Sequence, residues 1–202
     1  MYKTEMPVIR DAMRHDLTIF RRGFMFAICS IRQPTINVPD QLAILFDGVQ
    51  DENPLFGHKF DAWAWISDDG NAARLWRNLL ALENYADKLA CEHAIACLLE
   101  VPGLGIVKAA FICQLMGFDV ACLDARNIKR EGRNPRAYET RGSKSGRKWS
   151  AKTVARYVAE THGRAQEYWD AWCYDVAEAY GRTAQQISDL HLAIIPAGFI
   201  PF

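Results

Sequence analysis

Apolar side chains recur at helical spacing along most of this chain. Ile9, Met13, Leu17, Phe20, Phe24 and Ile28 fall on one face of the segment from Val8 to Ile31, with Arg10, Arg14, Arg21 and Arg22 elsewhere. That spacing predicts one amphipathic helix, limited by Pro34. A shorter helix is predicted from Asp40 to Phe46 after Pro39, and a connector from Asp47 to Gly57, punctuated by Pro54 and Gly57. Phe60 to Ile66 has no decisive period, whereas Asn71 to Leu82 has the spacing of another helix. Ala86, Leu89, Ala90, Ile95, Leu98 and Leu99 mark the next helix, and Val107, Ala110, Phe111 and Leu115 the one after it. Ser150 is placed to cap a helix from Ala151 to His162, which Gly163 ends. Arg164 to Tyr180 follows, with Tyr168, Trp169, Trp172, Cys173, Val176 and Tyr180 as a buried structural stripe. Thr183 caps a last helix running to about Ile194, before Pro196. No alternating strand pattern or internal repeat is visible, so the expected fold class is all-α and the expected organisation a single helical domain over 1–202.

The turn between the two central helices carries candidate chemistry. Val101-Pro102-Gly103-Leu104-Gly105 joins them: Pro102 stops the first helix, and Gly103 and Gly105 permit positive φ and bring the backbone close to a ligand. The N–H groups of Gly105, Ile106, Val107 and Lys108 open the second helix without intrahelical partners, so they and the helix dipole favour an anion such as a DNA phosphate. Behind this turn an apolar run, Val120 to Leu123, ends in Asp124, with Arg126 and Asn127 just beyond.

In order and spacing, Val101-Pro-Gly-Leu-Gly105, Ala109-Ala110 and the run into Asp124 resemble the DNA glycosylase superfamily named for a helix-hairpin-helix followed by a Gly/Pro-rich loop and an aspartate. The resemblance covers roughly Tyr85 to Arg130, with the helix-hairpin-helix at about 85–117. It implies a helical DNA glycosylase-like fold, DNA as partner, and Asp124 as the catalytic residue. A carboxylate there can stabilise the oxocarbenium-like sugar as a C1′–N bond breaks and can orient water. The plainer role of Asp124 is the N-cap of a helix starting near Ala125, and the two roles are compatible. Arg126 and Asn127 are candidate contacts to an extruded nucleotide or phosphate.

Relatives that cleave the strand through a Schiff base place lysine where this chain has Val107, one position before Lys108. A one-residue shift turns a side chain by about 100° on a helix. Lys108 is therefore expected to face phosphate or solvent rather than a substrate pocket, and excision is expected to proceed without a lysine Schiff base. The six cysteines form no compact cluster of the kind an iron–sulfur loop needs, and no cofactor box or metal site is read. The resemblance extends to thymine-hypermodifying enzymes related to those of bacteriophages. It thereby implies an alternative, an amino-acid or polyamine transferase acting on modified thymine. A non-catalytic DNA-binding module, with Asp124 only a cap, is the third reading.

Composition changes the picture in two places. Half of the 202 residues are apolar and no apolar run is long enough to span a bilayer, which with free cysteines in apolar contexts points to a cytoplasmic protein. Met1 to Arg14 carries charges of both signs and does not read as a secretory signal. The formal net charge is zero, yet the stretch from Arg126 to Arg156, with a basic loop at about 126–153, gathers Arg126, Lys129, Arg130, Arg133, Arg136, Arg141, Lys144, Arg147, Lys148, Lys152 and Arg156 against Glu131 and Glu139. This stripe is expected to hold the phosphodiester backbone beside Asp124. Its middle, Gly132 to Gly146, reads as a loop. His191 is a candidate substrate contact on an otherwise apolar face, with packing as its plainer role, and Trp63 and Trp65 are candidates for stacking on a base.

Overall fold

A computed structural model describes residues 5–31, 33–48, 55–134 and 150–199. The described residues form an all-α fold with no strand. Its helices are α1 (Glu5–His15), α2 (Leu17–Cys29), α3 (Val38–Phe46), α4 (His58–Ser67), α5 (Asp69–Leu80), α6 (Lys88–Leu98), α7 (Ile106–Met116), α8 (Ala125–Arg130), α9 (Ala151–Thr161), α10 (Ala165–Tyr180) and α11 (Ala184–Asp189). Short 3₁₀ turns lie at Thr35–Asn37 and Leu190–Ile194. No described helix is long and apolar enough to cross a membrane.

Side-chain caps set the starts of most of these helices. Asp16, Asp68, Asp87, Asp124, Ser150 and Thr183 each accept backbone N–H bonds from the first turn that follows, satisfying donors that a helix cannot pair internally. Asp16 is the reason the predicted helix over Val8 to Ile31 is in fact two. Its backbone is extended and its Oδ1 accepts from Thr18 and Ile19, so α1 ends and α2 begins in a new direction. Helix α3 begins two residues earlier than its sequence pattern predicts because Pro39 sits in the first turn, where a missing N–H is harmless.

Helices α2 and α7 are buried almost throughout and form the centre of one apolar core, against which the remaining helices pack. Gly23 of α2 lies so close to α1 that an added Cβ would come within 2.5 Å of the Met13 sulfur. The C-terminus of α7 is closed by Gly117, whose φ of +91° suits glycine and whose Cβ position is occupied by the Arg10 guanidinium, 2.1 Å from Nε. Arg14 Nε donates to Met116 O at 2.9 Å, so two arginines of α1 meet the negative end of α7. Beyond Gly117 the chain crosses the core through Phe118, Val120, Ala121 and Leu123, all buried, and emerges at Asp124.

Candidate active site

A cavity of about 180 Å³ opens between α2, α7, α8 and α10, and the Asp124 side of α8 forms part of its wall. The segment that delivers Asp124 has no neighbouring strand, and side chains take over the pairing of its backbone. The Tyr157 hydroxyl donates to Ala121 O at 3.0 Å and accepts from Leu123 N at 2.9 Å. Gln114 Oε1 accepts from Cys122 N at 3.2 Å, while Asn127 Nδ2 donates to Cys122 O at 2.7 Å. Burial holds the Tyr157 phenol well above its ordinary pKa, so its proton stays on the hydroxyl that bonds Ala121. Every backbone polar group from Ala121 O to Leu123 N is thereby satisfied inside the core.

Asp124 is the cap of α8: Oδ1 accepts from Arg126 N at 3.1 Å and Asn127 N at 2.9 Å. Oδ2 receives no hydrogen bond from the described residues, so capping occupies only one oxygen of a carboxylate that lines the cavity. Arg126 also lines the cavity, and its guanidinium donates to Asp175 O at 3.2 Å. Asn127 lines it from a 2% exposed position.

Lys108 lines the cavity, contrary to the expectation that it faces away from a substrate pocket. Gly105 caps α7 with φ −100°, an ordinary extended conformation rather than the positive φ expected of it, and Ile106, Ala109 and Ala110 face the core. That register turns Lys108 toward the end of α2, where Nζ donates to Ser30 Oγ at 2.7 Å and lies 5.2 Å from the centre of the Phe111 ring. Ser30, Phe111 and Lys108 all line the cavity, which therefore holds a cation as well as the carboxylate, neither in an ion pair with a described residue. Val107 is half-buried against the core.

The aromatic stripe of α10 is likewise more than core packing. Tyr168, Trp169 and Trp172 form one wall of the cavity, with the two indoles 6.2 Å apart and tilted by 39°. His191 lies behind that wall, fully buried, 4.5 Å from Trp169 and 4.5 Å from Phe26, with Nδ1 3.0 Å from Ser188 O. Its placement corrects the reading of His191 as a substrate contact: it supports the indole and does not line the cavity. Trp63 packs edge-on against Phe46 at 5.3 Å, and neither it nor Trp65 reaches the cavity, which removes them as stacking candidates there. Cys122 lines the cavity, but burial pushes its thiol up to about 12, only partly opposed by Lys108, and makes it a poor nucleophile near neutral pH.

The turn between α6 and α7 holds Gly103 at φ +78°, with an added Cβ landing 2.4 Å from His58 O at the start of α4. Gly103 is thus required by its packing on α4 as well as by its φ. Lys108 N donates to Gly105 O at 3.1 Å, which leaves the N–H groups of Gly105, Ile106 and Val107 as the donors without a backbone partner among the described residues.

In the described part of the basic stripe, Arg130 and Arg133 are ion-paired within the molecule. Arg133 pairs with Glu131 and, at 2.6 Å, with Glu160; Arg130 pairs with Asp175 at 3.4 Å; Lys129 is exposed. Arg133 is therefore a structural cation, contrary to its expected role as a phosphate contact. Arg136, Arg141, Lys144, Arg147 and Lys148 lie outside the described residues. Comparison of the chain with family models, curated proteins and solved structures returns no match.

Proposed function

We propose that this protein is a DNA-binding enzyme that takes an extruded nucleotide into the cavity at Asp124, with base excision as the reaction. The observation that carries the reading is the convergence of the Asp124 carboxylate, the Lys108 ammonium and the Trp169–Trp172 wall on one cavity. An extruded base needs a flat apolar face to replace the stacking it leaves, and a breaking C1′–N bond needs negative charge beside the sugar. Asp124 supplies that charge and orients the attacking water, while the turn of Gly103 to Val107, read as the hairpin of a helix-hairpin-helix, receives a backbone phosphate. Lys108, held by Ser30 at the carbonyl end of α2, acts as a cation toward the nucleotide phosphate rather than as a covalent nucleophile.

Incubation with duplexes and single strands carrying normal, damaged and modified bases, read by nucleoside mass spectrometry, tests this reading. Release of a free base with the strand uncut and no borohydride-trapped adduct is the expected result. An adduct that disappears in Lys108→Ala would instead make Lys108 the nucleophile, and a mass gain on an intact base would make the reaction a transfer to modified thymine. Binding without any change in base composition would reduce the protein to a DNA-binding module.

A further inference from the structure

Two buried polar atoms in the cavity wall have no hydrogen-bond partner among the described residues: Asn127 Oδ1 and Trp169 Nε1. Asn127 is 2% exposed and Trp169 5%. The orientation of the Asn127 amide is set by its neighbour, because Nδ2 donates to Cys122 O and the flipped amide would bring two carbonyl oxygens together. Asn127 thus offers an acceptor, and the indole can only donate. Four other buried side-chain atoms of the described residues also lack a hydrogen-bond partner, Arg10 Nε, Arg21 Nε, Gln41 Oε1 and His191 Nε2, but none of those residues lines the cavity, whereas Gln114, the other buried amide of this wall, is engaged by Ala165 O and Cys122 N. Orphaned buried donors and acceptors destabilise a fold, and two in the wall of one cavity share an explanation in a ligand that supplies both complements. At about 180 Å³ the cavity is on the scale of one planar ring system, below the roughly 300–1,000 Å³ of drug-sized sites. Trp172 and Phe111 supply the apolar faces that a planar ring needs.

We infer that Asn127 and Trp169 are the specificity-determining pair of the cavity, Asn127 Oδ1 accepting from an N–H and Trp169 Nε1 donating to a carbonyl oxygen or ring nitrogen of a single nucleobase. The inference rests on the proposed function for the base being part of DNA, but the pair itself is tested with free bases. Uracil, thymine, cytosine, adenine and hypoxanthine are titrated into the full chain labelled with ¹⁵N-tryptophan, following the indole N–H resonances. The Trp169 resonance is assigned by its loss in Trp169→Phe, which keeps an aromatic ring and removes the donor. At least one base is expected to shift that resonance saturably and to bind about tenfold more weakly to Trp169→Phe. Methylation of its N–H donors, as in 1,3-dimethyluracil or N6,N6-dimethyladenine, is expected to weaken binding by about the same factor without touching the protein.

Equal affinity for the methylated analogues, or no base that moves the Trp169 resonance, would overturn the pair. The two levels separate cleanly. Discrimination among free bases without action on any DNA supports the pair and contradicts the proposed function. Base release at the wild-type rate by Trp169→Phe, with no free base bound, contradicts the pair and leaves the proposed function standing.

Discussion

Gly103 and Gly105 look equivalent in the sequence and are not. Gly103 combines φ +78° with the His58 carbonyl where a Cβ would sit, whereas Gly105 is extended at φ −100°, a conformation open to any residue. Gly103→Ala is therefore expected to lower stability by about 2 kcal/mol, through strain and the clash with α4, and Gly105→Ala, which carries no such backbone strain, to cost clearly less. Urea midpoints at constant m-value measure both, and equal losses would contradict the difference. The positive φ of Gly103 was legible because Pro-Gly marks a turn, and the capping role of Asp124 because an acidic residue precedes a new polar helix. The place of Lys108 was not legible. A 100° rotation between neighbours is certain, but which neighbour faces the cavity depends on where α7 starts, and that is set by packing of Ile106, Ala109 and Ala110 against the core. His191 and Trp169 illustrate the same limit. Both occupy apolar helical faces in the sequence, and only tertiary packing puts the indole at the cavity and the imidazole behind it.

At the scale of elements, the segment 121–123 is the device that aims Asp124, and its hydrogen bonds come from α7, α8 and α9 rather than from a neighbouring strand. Tyr157 matters most because one hydroxyl serves both Ala121 O and Leu123 N. Tyr157→Phe leaves two buried backbone groups orphaned and is expected to destabilise the fold by about 2 kcal/mol. Turnover on any accepted substrate should fall about tenfold with KM little changed, as expected when a catalytic group loses its positioning. A raised KM with kcat intact would assign Tyr157 to binding instead. Neither Tyr157 nor Gln114 stood out in the sequence, because a tyrosine or glutamine on an amphipathic helix carries no sign of a distant backbone partner.

Helices α8, α9 and α10 are further tied by Glu131, which takes the Arg164 guanidinium at 2.7 Å and shares Arg133 with Glu160. Burial alone would raise the Glu131 carboxyl, but hydrogen bonds from Tyr168, Arg133 and Arg164 outweigh it and hold its pKa below the ordinary carboxylate value. A lowered folded-state pKa contributes stability that is complete above the unfolded value and is lost as pH falls through the folded one. Glu131→Gln is thus expected to be about 2 kcal/mol less stable than the parent at pH 7, with the gap closing below about pH 4. Chemical denaturation at a series of pH values measures this, and a gap that persists at pH 2 would mean that the loss is one of packing, not charge.

Across the whole molecule, the all-α class and the order of helices around the central turn follow from periodicity and caps. The division at Asp16 and the fate of the charges do not. A run of arginines reads as a phosphate-binding stripe in one dimension, yet Arg133 and Arg130 meet carboxylates brought from α9 and α10 by the fold. The cavity draws its wall from residues more than a hundred positions apart, from Ser30 to Tyr180, so its existence could not be read from any local pattern. What joins these levels is the claim that Asp124 performs chemistry on a base held in that cavity. Asp124→Asn tests it most directly, because asparagine retains an oxygen to cap α8 while removing the negative charge. On whichever modified DNA the parent protein processes, single-turnover release of the base, followed by nucleoside mass spectrometry, should slow at least about a hundredfold in this variant, with DNA affinity and thermal stability near those of the parent. Base release at the parental rate by a folded Asp124→Asn protein would contradict the account.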